Sequence, residues 1–296
     1  MPVIDSDAIL DDVTTTKKEH LSYSQLNTYL RCGMQYRYSY VLGIKEPPSL
    51  APSAGTAGHT AVEMDSRRKI RTGANMPIDE MLDLFSTSFT KETEDVVLKP
   101  DEDKGRTKDD LVHSLAMYHG TLAKEMLPLV VEKSFRLDLA IEKVRPVVGR
   151  IDLINLQGKA VGIWDNKFTM NRRPKSQMEA DTSIQLTTYD MAIKQETGKD
   201  VSRLGLIQFI PPGRDSSRSP AVINVVERSH AAMMPEAREA RAARVKYQYE
   251  TAERGIKEAI FIPTDNPIVC GWCGYRDRCQ NALVSEYEAM KIQEST

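Results

Sequence analysis

Apolar residues recur with two different periods along this chain, and the change between them divides it. Residues 56–71, 79–93 and 108–126 carry apolar positions at helical spacing, and three helices are expected there. Residues 130–140, 147–156 and 160–167 are instead runs of β-branched and apolar side chains that predict strands. A helix is expected over about 177–197, strands over 203–210 and 221–227, and a long helix over 230–257. Upstream, Ser22 and Gln25 have the spacing of a capping box and open a helix toward Cys32. The aromatic stretch Tyr36, Tyr38, Tyr40 follows, and Pro47, Pro48, Pro52 and Gly55 mark a loop. Downstream, irregular Pro- and Cys-rich sequence precedes a short terminal helix, and residues 1–20 are expected to be loosely ordered. Helices, then a strand-rich middle containing one helix, then helix, predict an α/β or α+β core with helical embellishment.

The two central strands hold the most informative residues: Gly149-Arg150-Ile151-Asp152 on one, Trp164-Asp165-Asn166-Lys167 on the next. With Gly158-Lys159 as a two-residue turn, Gln157 pairs with Ala160 and Asp152 falls opposite Asp165. Opposed Cβ atoms lie roughly 4.5–5.5 Å apart. Side chains alternate faces along a strand, so Asp165 and Lys167 share a face with Asp152. Two facing carboxylates resist joint ionisation unless a cation sits between them, and oxygen ligands of this kind suit Mg²⁺ or Mn²⁺. Such a cation polarises a phosphoryl oxygen and helps generate hydroxide, while the lysine orients or deprotonates the water. The alternative is a solvated hairpin face with a salt bridge.

All four cysteines are accounted for if Cys32 joins Cys270, Cys273 and Cys279 in one site. Four thiolates suit zinc or an iron–sulfur cluster. Zinc ribbons present two C-x2-C pairs, whereas this chain has one pair and two singletons, which favours a [4Fe-4S] cluster. Such a site would be structural and would staple the two ends of the chain.

Net charge is −2, which alone points to no nucleic-acid partner. The distribution adds more: Arg172, Arg173 and Lys175 directly follow the acid-x-lysine strand as candidate phosphate contacts, while acidic stretches such as 79–110 offset the total. The basic run 236–254 also carries Glu236, Glu239, Glu250 and Glu253, and a solvated helix face explains it equally well. The polar N-terminal residues are not those of a signal peptide and no apolar run approaches about 18 residues, so a cytoplasmic protein is expected, with no membrane partner. His59, after Gly55-Thr56-Ala57-Gly58, is either a structural imidazole or a metal ligand. Gln185 and Tyr189, one helical turn apart, are either core-edge residues or contacts to a phosphate or base.

Together these residues resemble the PD-(D/E)XK nuclease superfamily. Within it the chain is similar to the RecB-like nucleases that carry an iron–sulfur cluster, including the CRISPR-adaptation nuclease and the AddB nuclease domain. Ser22 through Tyr29 and Cys32 match the N-terminal helix and first cluster cysteine. Gly58-His59 and Glu63 match the histidine motif, Gly149 to Asp152 the G-x-x-D strand, Asp165-Asn166-Lys167 the (D/E)-x-K triplet, and Gln185-x-x-x-Tyr189 the Q-x-x-x-Y helix. Cys270, Cys273 and Cys279 match the closing cysteines. The resemblance implies a restriction-endonuclease-like core, a central mixed sheet flanked by helices, with a helical insertion at about 73–130. It implies one nuclease domain over 21–296: a helical part to about 130, a catalytic core over 131–228, and a cluster-binding region over 229–296. It also implies a metal held by His59, Asp152, Asp165 and the backbone carbonyl of Asn166, and a catalytic Lys167 placed with the help of Gln185 and Tyr189. The implied substrate is DNA, single-stranded or at ends, and the implied partners are recombination or CRISPR-adaptation proteins. Two competing readings remain: a nuclease-derived DNA-binding adaptor without cleavage, and a zinc-stabilised regulatory protein.

Overall fold

The computed structural model describes residues 19–157, 160–213, 219–228 and 233–281. Residues 1–18 of the expected loose segment 1–20, the Gly158-Lys159 turn, residues 230–232 of the long helix, and the terminal helix beyond 281 lie outside the described residues. The chain divides into two compact units.

The larger unit comprises Pro47–Asp138 and Val148–Tyr247. Its sheet has five strands in the order β1-β2-β3-β4-β5: Pro128–Leu137, Val147–Gln157, Ala160–Phe168, Arg203–Ile210 and Val222–Arg228. β2 and β3 are antiparallel, β3 and β4 parallel, β4 and β5 antiparallel, so the sheet is mixed, as expected. Three long helices, α3 (Leu50–Thr72), α4 (Ile78–Glu92) and α5 (Lys104–Gly120), precede β1, with the short α6 (Leu122–Glu125) between. Their apolar stripes, among them Ala57, Ala61, Phe85 and Leu115, share a core with Leu153, Trp164, Ile207 and Phe209 of the sheet. Between β3 and β4 lie α7 (Gln177–Asp181) and α8 (Ile184–Thr197). Alternation along β3 sends Trp164 to the α3–α5 core and the flanking residue Asp165 to the other face, where Tyr189 of α8 meets it.

Two expectations are corrected. α3 begins at Leu50, not after Gly55. Pro52 sits within its first turn, where an N–H has no intrahelical partner, so the missing donor costs nothing. The segment 177–197 is not one helix: it breaks at Thr182-Ser183, where the Ser183 side chain accepts from Leu186 N and starts α8 afresh.

The smaller unit comprises Met1–Glu46, Leu139–Val147 and Gln248–Thr296. It contains α1 (Tyr23–Arg31), capped by Ser22 as the sequence predicts, α2 (Gly33–Tyr36), a π-helical turn over Arg37–Val41, and α10 (Pro267–Gly271). It also takes in the end of α9 (Pro235–Lys257). Gly33 N donates to Ile262 O at 2.8 Å, and a Cβ on Gly33 would lie 2.5 Å from Ile262 N, so only glycine permits this approach. Tyr29 donates to Ile260 O at 2.8 Å, and Tyr275 to Ile44 O at 2.6 Å. Arg145 makes a bidentate ion pair with Glu253 at 2.7–3.1 Å; the carboxylate side chain is only 2 % exposed. Segments from the N- and C-terminal parts of the described chain thus form this unit. Among the described residues no helix is long and apolar enough to cross a membrane.

Trp164 needs cleared space. Its indole Nε1 donates to Asn155 Oδ1 at 2.8 Å, and its ring lies beside Gly205, where a Cβ would come within 2.4 Å. Gly205→Ala is expected to lower unfolding free energy by about 1–3 kcal/mol through overpacking, because the Val226 carbonyl blocks relaxation on the other side. Urea denaturation measures this; an unchanged midpoint would refute the account of Trp164.

Candidate active site

The β2–β3 register begins with Gln157 opposite Ala160 and runs to Leu153 opposite Trp164, as the hairpin expectation requires. Asp152 and Asp165 are the next positions along the two strands. Asp152 Oδ2 accepts from the backbone N–H of Asn166 at 2.8 Å, which fixes its carboxylate against β3. Asp165 is 1 % exposed.

A closed ring of polar contacts surrounds Asp165. Lys167 Nζ lies 2.6 Å from Asp165 Oδ2 and donates to Gln185 Oε1 at 2.9 Å. Gln185 Nε2 donates to the Tyr189 hydroxyl at 2.7 Å, and that hydroxyl lies 3.2 Å from Asp165 Oδ1 and 3.0 Å from the Arg150 carbonyl. Spacing of four residues on α8 places Gln185 and Tyr189 on one face, and spacing of two on β3 does the same for Asp165 and Lys167. Burial, reinforced by Asp165 and Asp152, holds the Tyr189 phenol well above its ordinary value, so it stays a neutral donor.

Beside the ring sits a second group. One ligand atom each from His59, Glu132 and Asp152 lies within 4.8 Å of the others, close enough for the three to hold one metal ion. His59 Nδ1 is 3.5 Å from Asp152 Oδ2. Its place on α3 depends on Gly58, where a Cβ would come within 2.5 Å of the Phe168 ring. Phe168 stacks on Phe209 at 4.2 Å and meets the His59 ring edge-on at 5.2 Å. Burial holds His59 below its ordinary value against the pull of Asp165, so its imidazole is neutral at pH 7, the form that ligates metals. Glu63, expected beside it, is paired with Arg67 at 2.7 Å.

Glu132 was not among the residues singled out from sequence. The available signal was an acid inside the apolar strand run at 130–140. Glu132 has φ +52°, uncommon for a residue with a Cβ. Val131 joins the α3–α5 core while Phe135, an even number of residues on, meets Tyr189 of α8. A regular strand would put both on one face, so the left-handed residue between them resets the alternation. Burial and then Glu63 raise the Glu132 carboxyl above its ordinary value, while Arg150 at 3.4 Å opposes them.

The charges agree with a cation site. Burial, and then the neighbouring Asp165, push Asp152 well above the ordinary carboxylate range, although the Asn166 N–H pulls the other way. A divalent cation complements the charge of such a cluster of acids. The basic residues that follow β3 are each paired within the protein. Arg172 donates to the carbonyls of Pro211 and Pro220, and Arg173 and Lys175 both pair with Glu179, at 3.2 and 2.7 Å. The Lys175 ammonium, with the Ser176 N–H, holds Glu179 down to about 2.

In the smaller unit, Cys32, Cys270, Cys273 and Cys279 are not disulfide-bonded and line one cavity of about 160 Å³. Met34, Tyr38 and Tyr275 form its apolar wall. Burial raises the Cys273 thiol, and Cys32 and Cys270 add to that. Remote Cys32 is therefore gathered with the C-terminal three.

A mixed sheet flanked by helices, with an acid and an acid-x-lysine triplet on neighbouring central strands, defines a restriction-endonuclease-like α/β protein. The family model of the PD-(D/E)XK nuclease superfamily matches residues 20–280, and the chain belongs to that superfamily. Its members are nucleases that use divalent metals, and the carboxylate–histidine group here has the donors for one. The solved structure "Crystal structure of SSO0001" is similar over 91% of this chain and 89% of that chain, at 12% identity and a TM-score of 0.38. No curated protein sequence matches the chain.

The raised Asp152 sets a pH dependence. Its folded-state pKa exceeds the unfolded one, so the folded state holds this proton more tightly. Its contribution is therefore lost as pH rises from about 4 through the folded value. In EDTA, Asp152→Asn is expected to raise the melting temperature at pH 7 and to leave it unchanged near pH 3. A variant less stable than wild type at pH 7 would contradict the assigned repulsion.

Proposed function

We propose that this chain is a metal-dependent deoxyribonuclease of the RecB-like, iron–sulfur kind, an exonuclease acting on single-stranded DNA or DNA ends. The observation that carries the reading is the closed Asp165–Lys167–Gln185–Tyr189 ring beside the His59–Glu132–Asp152 group. His59, Asp152 and Asp165 would hold Mg²⁺ or Mn²⁺, with the Asn166 carbonyl as the superfamily resemblance implies and Glu132 as an added donor. When bound, the metal would polarise a phosphoryl oxygen and acidify water. Lys167 then orients the attacking water and offsets charge building on the phosphate. Gln185 fixes the ammonium, and Tyr189 holds the Asp165 carboxylate in the orientation Lys167 needs. Arg172, Arg173 and Lys175 follow the catalytic strand and supply positive charge for a DNA backbone; Arg173, the most exposed of the two Glu179 partners, exchanges that partner for phosphate most readily.

Four thiols around one apolar-walled cavity support a [4Fe-4S] cluster at Cys32, Cys270, Cys273 and Cys279. Processing DNA ends suits recombination, repair or CRISPR adaptation, with proteins of those systems as partners.

Cleavage of end-labelled single- and double-stranded DNA with Mg²⁺ or Mn²⁺ tests the activity. Lys167→Ala and Asp165→Ala are each expected to lower the rate by about 10²–10⁴-fold. Equal cleavage by all three proteins would overturn the site, and tight DNA binding without metal-dependent cleavage would favour an adaptor role. Anaerobic purification should give a brown protein containing iron and labile sulfide in equal amounts; stoichiometric zinc would overturn the cluster.

A further inference from the structure

We propose that Arg228 is a positioning residue for the nuclease site, acting through the first turn of α8; this rests on the proposed nuclease function. Arg228 ends β5 and is 1 % exposed. A buried guanidinium is costly unless its donors are used. Here Nε and Nη2 donate to Ala180 O at 3.0 and 2.8 Å, Nη2 also to Ser183 O at 2.8 Å, and Nη1 to Thr187 Oγ1 at 2.9 Å. Every one of these acceptors lies between the end of α7 and the second turn of α8. Ser183 is the residue that caps α8. Burial lowers the guanidinium to about 10, so it remains charged at neutral pH.

The position of the clamp is what gives it consequence. Gln185 lies between two clamped residues, Ser183 and Thr187, and Tyr189 lies one half-turn beyond them on the same helix. Both side chains close the ring that holds Lys167 and Asp165. A shift of α8 by about 1 Å would stretch the 2.9 Å Lys167–Gln185 bond past hydrogen-bonding distance. Displacements of that size remove on the order of 10²-fold in rate. The break at Thr182-Ser183 frees α8 from α7, so this turn needs a fixed point that a continuous helix would not. Gln177 of α7 adds a second tie to the same strand, donating to Glu227 O at 2.8 Å.

The test is a double-mutant cycle in the full-length, metal-loaded protein. Arg228→Lys keeps the charge but not the fork, and is expected to lower the cleavage rate at saturating DNA by about 10–100-fold with KM within about 3-fold. In a Gln185→Ala background the same substitution should cost less than about 3-fold, because the group it positions is gone. Costs that multiply independently, or an unchanged rate, would overturn the proposal. Amide hydrogen exchange gives a second reading that does not need activity. Faster exchange confined to about residues 180–189 supports the clamp; unchanged exchange there, or acceleration throughout the unit, refutes it. If wild-type protein does not cut DNA, the proposed function fails while the exchange result still decides the role of Arg228.

Discussion

Two carboxylates placed side by side on neighbouring strands form the constraint on which the site depends. Asp152 and Asp165 are both withdrawn from water, and burial, then the neighbouring Asp165, raises the Asp152 carboxyl well above its ordinary value. The structure offsets this with specific partners: the Asn166 N–H on Asp152, and the Lys167 ammonium and Tyr189 hydroxyl around Asp165. A slip of one residue between β2 and β3 would send one carboxylate into the apolar core under α3–α5 and bring Leu153 or Trp164 out of it. The hydrophobic demand of that core therefore fixes the register, and the register fixes the chemistry.

The same alternation explains why helices on both faces matter. Trp164 and Phe168 point into the α3–α5 core, where Gly205 and Gly58 leave room for their rings. Asp165 and Lys167 point toward α8. His59 reaches the site from α3 with its ring against Phe168, the residue next to the lysine. Aromatic packing on one face and the polar ring on the other are thus consecutive residues of one strand. Because β3 is central and paired on both sides, neither can move without disturbing the other.

Residues whose roles follow from short-range periodicity were legible. Opposed positions on a hairpin, i and i+2 on a strand, and i and i+4 on a helix gave the Asp152–Asp165 pair, the Asp165–Lys167 face and the Gln185–Tyr189 pair. Glu132 was not legible, because its part depends on a left-handed residue that resets strand alternation, and no local pattern announces it. Arg228 was equally silent: nothing in its local sequence shows its burial or its three acceptors. The start of α3 differs from the sequence expectation because proline signals a loop on average, whereas the first turn of a helix tolerates it. The break before α8 needed Ser183 to be seen as a cap in the middle of a helical period.

The sequence by itself determined the pairing of two central strands and the acid and acid-x-lysine positions on them, because each rests on spacing that a single chain segment enforces. Tertiary structure decided what completes the site. His59 and Glu132 come to Asp152 from elements far apart in sequence, and a buried arginine fixes the helix that closes the ring. Those contacts depend on how helices and strands pack, and packing is set by the volume and shape of side chains that never touch one another in sequence.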